Sequence, residues 1–224
     1  MANKNFHVHD TIVGPINSWD REPFMTDLWN DGEKSFVPVR RRISFNLITA
    51  NYGAAEGVDN DDGSSWYHVF RNVFYDAEGF KMDYGGHDSI YEDNLVISYP
   101  TRNRRHGGAH CIDFDHFLPN HGHIVRRNRC VVPNAAGSPL IQLGLCKNGH
   151  AVLQNNTYFT ASGDATLKCG YRASDLPISF AQAQQMYGLE LGSRVLQTPE
   201  CEETLLKWAL ETLLPDISTS VDVV

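Results

Sequence analysis

No apolar run in this 224-residue chain approaches the ~20 residues that a membrane-spanning helix needs, so no membrane span is expected. The opening MANKNFHVHDTIV has no apolar h-region and is not read as a secretory signal. None of the five cysteines forms a CxxC pair, which removes the sequence basis for a structural zinc site; the odd count leaves at least one thiol free. Basic charge is not in excess. The net charge is −8, whereas a general nucleic-acid binder carries a basic footprint, so no nucleic-acid partner is expected. The local clusters Arg40-Arg41-Arg42, Arg102 with Arg104 and Arg105, and Arg126-Arg127 are read as solvated turns. Helix signals are almost absent before Ser179.

What the chain does have is a repeat. The form apolar-x-x-Asn-x-apolar occurs at Ile43, Asn46, Ile48; at Val69, Asn72, Phe74; at Tyr91, Asn94, Val96; at Val125, Asn128, Cys130; and at Leu153, Asn156, Tyr158. The asparagines are 26, 22, 34 and 28 residues apart, which is one turn of a solenoid with the excess looped out. Two short strands with inward apolar residues would flank a tight bend. Asn tolerates left-handed backbone there, and stacked amides can bond from one level to the next. Cys111 and Cys130 are 19 residues apart, and strands stacked ~4.8 Å apart lie within disulfide reach, so this pair is a candidate bridge.

The ends differ from the middle. Residues 1–42 are read as the loop-rich first level or levels, with Asp20-Arg21-Glu22 as a charged centre and too much Trp and Phe for disorder. Residues 43–175 carry the repeat. Residues 176–215 read as a helical cap, and 216–224 as a tail. Ser179 caps one helix that Gly188 closes. Thr198-Pro199-Glu200 opens a second, with an apolar stripe at Leu206, Ala209, Leu210 and Leu213. A helical segment there would cover the open core and strand edge at the end of a solenoid.

The Asn bends over about residues 40–175 resemble those of right-handed single-stranded parallel β-helix proteins, and within them the class acting on polysaccharides. The phrase Gly79-Phe80-Lys81-Met82-Asp83-Tyr84-Gly85-Gly86-His87-Asp88, followed by Tyr91-Glu92-Asp93-Asn94-Leu95-Val96, looks like a level of a secreted β-helix glycosidase or lyase. The run SFAQAQQMYGLELGS looks like the tail segment of that class. Pectin-cleaving members carry Asn-Thr-Asp, Asp-Asp and Gly-His-Gly on separate levels. Here Asp59-Asn60-Asp61-Asp62, Gly86-His87 and His121-Gly122-His123 depart in order and spacing, so no catalytic role is carried over. The resemblance implies an all-β solenoid with a C-terminal helical segment and a polysaccharide or oligosaccharide partner. It also implies a secreted or extracellular whole protein, of which this chain is expected to be the C-terminal part, acting as a monomer.

The chemistry is expected in Gly57–Asp88. Gly57-Val58-Asp59-Asn60-Asp61 and Gly79-Phe80-Lys81-Met82-Asp83 share one form, 22 residues apart. Strand alternation turns Val58, Asn60, Phe80 and Met82 inward and leaves Asp59, Asp61, Lys81 and Asp83 facing solvent. Stacking sets Asp59 beside Lys81 and Asp61 beside Asp83, and two stacked carboxylates cannot both ionise easily. Asp59, Asp61 and Asp83 are the acid, base and nucleophile candidates for glycoside hydrolysis. Lys81, His87, Asp62, Trp66, Tyr84 and Arg21 are the substrate-binding candidates. A lyase or epimerase using Lys81 as base is an alternative, although Asp59 beside it would raise its pKa. A non-catalytic glycan-binding or adhesin β-helix is another. No cofactor is required. Calcium at Asp59, Asp61 and Asp62, with Asp83, is a further candidate, but Phe70 stands where an EF-hand needs Glu. His121-Gly122-His123 offers two metal ligands without a recognisable third.

Overall fold

The computed structural model describes residues 15–19, 40–49, 56–83, 85–99, 110–117, 120–133, 139–146, 150–199 and 201–214. Short strands follow one another in threes. The first three are β1 (Ile16–Trp19), β2 (Arg41–Ser44) and β3 (Leu47–Thr49). Then come β4 (Val58–Asp61), β5 (Tyr67–Phe70) and β6 (Val73–Tyr75), and β7 (Phe80–Met82), β8 (Ile90–Glu92) and β9 (Leu95–Ile97). The pattern continues with β10 (Ile112–Phe114), β11 (His123–Arg126) and β12 (Arg129–Val132), then β13 (Ile141–Leu143), β14 (Ala151–Gln154) and β15 (Thr157–Thr160). The chain closes with β16 (Thr166–Cys169), β17 (Ile178–Ser179), α1 (Phe180–Tyr187), β18 (Arg194–Gln197) and α2 (Glu202–Leu213).

Each member of a triplet joins a different sheet. The first sheet runs β1-β4-β7-β10-β13-β16-β17, the second β2-β5-β8-β11-β14 and the third β3-β6-β9-β12-β15-β18. Pairing is parallel throughout, except for β16 with β17. The protein is therefore mostly β, with three stacked parallel sheets compatible with a parallel β-helix. The apolar positions of the repeat point inward. Ile48, Val69, Phe74, Tyr91, Val96, Val125, Cys130, Leu153 and Tyr158 all lie in one buried cluster, with Ile43 packed at its margin.

The asparagines form the expected ladder. Asn72 Oδ1 accepts the backbone N–H and Nδ2 of Asn46 at 3.1 and 2.9 Å. Asn94 does the same for Asn72, Asn128 for Asn94 and Asn156 for Asn128, at 2.9–3.1 Å. The left-handed residue, however, is the one before each Asn: Phe45, Arg71, Asp93, Arg127 and Asn155, with φ between 52° and 58°. The amide is needed for bonds between levels, so the neighbour takes the strained turn. The ladder ends on a corner without asparagine. Gly192 has φ 71°, and Ser193 Oγ accepts the Asn156 N–H at 2.9 Å. A Cβ on Gly192 would stand 2.3 Å from Asn155 Oδ1, so glycine fits this corner sterically as well as conformationally.

Two disulfides close the structure. Cys111–Cys130 forms, but within one triplet, joining the start of β10 to β12 rather than linking neighbouring levels. Cys146–Cys169, which the sequence reading did not pair, ties two successive strand levels of the first sheet. Cys201 is free and exposed.

The C-terminal segment contains strand as well as helix. Ser179 and Gln182 form a reciprocal capping box at α1, and Gly188 closes it with φ 66°. Phe180 and Ala183 enter the main core, so α1 covers its end. The second helix differs from expectation in two ways. Its N-cap is Cys201, without a side-chain cap bond, because Thr198 still donates its N–H to Thr160 as sheet. It lies against the outer face of the third sheet, with Leu205, Trp208, Ala209 and Leu213 packed on Val73, Leu95, Ile97, Val131 and Phe159. Leu206, expected on the buried stripe, is 56% exposed; the buried face is turned by one residue. Among the described residues no helix is long and apolar enough to cross a membrane.

Candidate active site on the outer face of the first sheet

The alternation in β4 and β7 sets the site. Val58, Phe80 and Met82 are buried in the core, and Asn60 turns inward to donate Nδ2 to Tyr91 Oη at 2.8 Å. The outward column reads Asn17, Asp59, Lys81, Asp113, Gln142, Lys168. One step along, the parallel ladder continues past the strand ends. Asp83 N–H donates to Asn60 O at 3.2 Å, and Asp115 N–H to Met82 O at 2.8 Å. This aligns Asp61, Asp83 and Asp115 on three successive levels.

Lys81 is the centre of the face. Its Nζ is 3.2 Å from Asp59 Oδ1, 2.8 Å from Asp61 Oδ1 and 3.8 Å from Asp83 Oδ2. Burial pulls its pKa down, but the charge of Asp59 and the hydrogen bond to Asp61 outweigh it and hold the ammonium above its ordinary value. The repulsion expected between Asp61 and Asp83 is thus met by a shared cation. Three of the four calcium candidates, Asp61, Asp62 and Asp83, have ligand oxygens within 4.8 Å of one another, and the Lys81 ammonium lies against two of them. Asp59 does not face solvent as expected: it is 0% exposed. The reason is β1, which places Asn17 against it on the side away from Lys81, so Asp59 is covered by a paired strand on each side.

Three functional candidates on this face were not singled out from sequence: Asp113, Asp115 and His116. His116 Nδ1 lies 3.0 Å from both Asp83 Oδ1 and Asp115 Oδ2. Burial first, then the charges of Asp83 and Asp113, raise the Asp115 pKa against the opposing bond from the His116 N–H. Closest oxygens of Asp83 and Asp115 lie within 4.8 Å, as do those of Asp61 and Asp83. The signal was present: Ile112-Asp113-Phe114-Asp115 repeats the in-out pattern of Val58-Asp59-Asn60-Asp61.

Asp62 stays with the column: it sits in the turn after β4, with φ 36° and its N–H on Asp61 Oδ1 at 3.1 Å, and a carboxylate oxygen lies within 4.8 Å of those of Asp61 and Asp83. The remaining expected residues scatter. Trp66 occupies the corner between first and second sheets with φ 61°, and the Arg40 guanidinium is 5.1 Å from its ring. His87 is buried at 1% exposure, so it cannot itself line an open groove. Its Nδ1 lies 2.8 Å from Asp88 Oδ2, which is also 2.6 Å from His121 Nδ1. The His121-Gly122-His123 pair is split by alternation: His123 turns inward to Gly86 O, and burial lowers its pKa to about 3. Tyr84 and Arg21 lie outside the described residues. Arg126 and Arg127, read as solvated, pair with Glu92 and Asp93.

Asp88 and Glu92 give a pH prediction. Burial pushes both upward, but bonds from His87 and His121 to Asp88, and from Arg126 and His68 to Glu92, hold each at about 2. Both folded pKa values lie below the unfolded ones. Their stabilisation is therefore fully present above the ordinary carboxylate range and is lost as pH falls through about 2. Unfolding free energy measured against pH should fall between roughly 4 and 2, and Asp88→Asn should flatten that slope. An unchanged slope in the variant would refute the assignment.

Comparison with models of protein families, with curated proteins and with solved structures finds no match to this chain.

Proposed function

We propose that the chain is a right-handed parallel β-helix that hydrolyses glycosidic bonds in a polysaccharide or oligosaccharide, using carboxylates on the outer face of its first sheet. The observation that carries this is the alignment of Asp61, Asp83 and Asp115 on successive levels, with neighbouring oxygens within 4.8 Å. Right-handedness follows from the strong bias of parallel crossover connections. Adjacent carboxyls at one level spacing match the ~5–5.5 Å separation of retaining hydrolases.

Asp83 stands within reach of the Lys81 ammonium and Asp115 does not, so Asp83 is the nucleophile and Asp115 the acid and later the base. His116 touches both and fixes their orientation. Asp59 is too buried to meet substrate; with Lys81 it positions Asp61 and Asp83. The raised Lys81 pKa counts against a lyase, whose base must be neutral. The two disulfides support a protein that works outside the reducing cytosol.

The test incubates the full chain with a panel of α- and β-linked polysaccharides, following reducing ends and the absorbance of unsaturated uronate. Reducing ends should appear without unsaturated product. Asp83→Asn and Asp115→Asn should each lower kcat/KM by at least about 10³-fold with unchanged circular dichroism, on the scale of losing an essential nucleophile or acid. Full activity in both variants, or an unsaturated product, overturns the reading. So does a panel left uncleaved.

A further inference from the structure

A second cluster lies at the N-terminal ends of β4, β7 and β10 and reaches Asp113 of the outward column. Gly57 N–H donates to Glu78 O and Gly79 N–H to His110 O, each at 3.1 Å. Glu56, Glu78 and His110 therefore hold one position on three successive levels. Asp113 follows on β10. Glu56 is 1% exposed, and Glu78 and His110 are also buried. Ligand atoms of Glu56, His110 and Asp113 lie within 4.8 Å of one another. His110 Nδ1 is 3.8 Å from Asp113 Oδ2, and the Tyr171 hydroxyl donates to Asp113 Oδ1.

Glu56 is the anomaly. Its Oε2 is buried and has no hydrogen-bond partner among the described residues. A carboxylate oxygen removed from water and left unbonded is costly, and native structures rarely keep one without a proton or a cation beside it. Its nearest charged neighbours make matters worse, since Asp113, Glu78 and Asp59 all act on it with the same sign. The reaction column does not use it.

We propose that Glu56, His110 and Asp113 bind one divalent first-row metal ion, Zn²⁺ or Mn²⁺. The donor set decides the class. Two carboxylates and one imidazole combine hard oxygen with borderline nitrogen, which suits these ions. Calcium takes six to eight oxygens and has no use for the imidazole. Three protein ligands leave at least one coordination position open to water or to an oxygen of a bound molecule. The ion supplies the missing partner of Glu56 Oε2 and balances the buried acids. It also joins the level of β4 to that of β10 across the intervening β7, so binding stabilises the fold by mass action.

The experiment uses the full chain stripped with chelator, titrated calorimetrically with ZnCl₂, MnCl₂ and CaCl₂. Pulsed electron paramagnetic resonance on the Mn²⁺ form reads the ligands. One equivalent of Zn²⁺ or Mn²⁺ should bind, raise the thermal midpoint and show one imidazole nitrogen coupled to Mn²⁺. Glu56→Gln and His110→Gln should each weaken binding by at least about 100-fold, because even outer partners of metal ligands cost 10–100-fold. His110→Gln should also abolish the nitrogen coupling. No uptake of either ion, uptake unchanged in both variants, or calcium binding without nitrogen coupling each overturns the proposal. If Glu56→Gln fails to fold, His110→Gln and the wild-type spectrum decide. No substrate enters the assay, so this proposal and the hydrolase reading fail independently.

Discussion

Asn94→Ala should cost about 3–5 kcal/mol of stability, read as a lower urea midpoint at unchanged slope. The side chain is buried in the middle of the amide ladder. Its Nδ2 donates to Asn128 Oδ1, Val69 O and Glu92 O at 2.9–3.0 Å. Its Oδ1 accepts the Asn72 N–H and Nδ2, both at 3.0 Å. Alanine removes these bonds and strands their partners, among them the buried Asn72 N–H, away from water. A typical hydrogen bond contributes only about 1 kcal/mol net, whereas each stranded buried group costs about 1–3 kcal/mol. Asn46→Ala is the control. Asn46 lies at the open end of the ladder, is partly exposed, and donates to Asn72 and Ser44. It should cost about 1 kcal/mol. Equal losses at the two positions would show that the amides are turn residues and not a cooperative ladder.

That contrast also explains how much of the fold was legible. Five asparagines at level spacing marked five corners because the ladder needs an amide at each one. The residue that takes the left-handed turn left no mark, since Phe45, Arg71, Asp93, Arg127 and Asn155 share no chemistry. The sixth corner was missed because Ser193 supplies a hydroxyl in place of the amide. Residues 1–42 carry no Asn corner of their own, so no strand was foreseen beside β4, and Asp59 reads as a solvated residue. The first two acidic levels were legible because they lie 22 residues apart. The third, at Asp113 and Asp115, comes 32 residues after Lys81 and Asp83, and the longer connection hid a matching alternation. Glu56 and His110 precede their strands, where alternation assigns no face, so only the pairing of levels brings them together.

Lys81→Met should destabilise the protein by about 3–5 kcal/mol at neutral pH, on the scale of breaking a buried ion pair from one side. The methionine keeps most of the stem packing and removes the cation that Asp59, Asp61 and Asp83 share. A surface lysine would contribute less than about 1 kcal/mol. Lys81 differs because one of its partners, Asp59, is 0% exposed and cannot recover hydration when the ammonium goes. The compensating change is therefore specific. Asp59→Asn introduced into the Lys81→Met background should restore more than half of the loss, whereas Asp61→Asn, at a side chain 26% exposed, should restore little. The resulting double-mutant cycle should give a coupling of at least about 1.5 kcal/mol between Lys81 and Asp59, beyond what independent sites show. If Lys81→Met costs less than about 1 kcal/mol, or if Asp59→Asn merely adds to the loss, the lysine is a surface residue. The carboxylate column would then lose the cation that holds it in place, and the choice of Asp83 as nucleophile would fall with it.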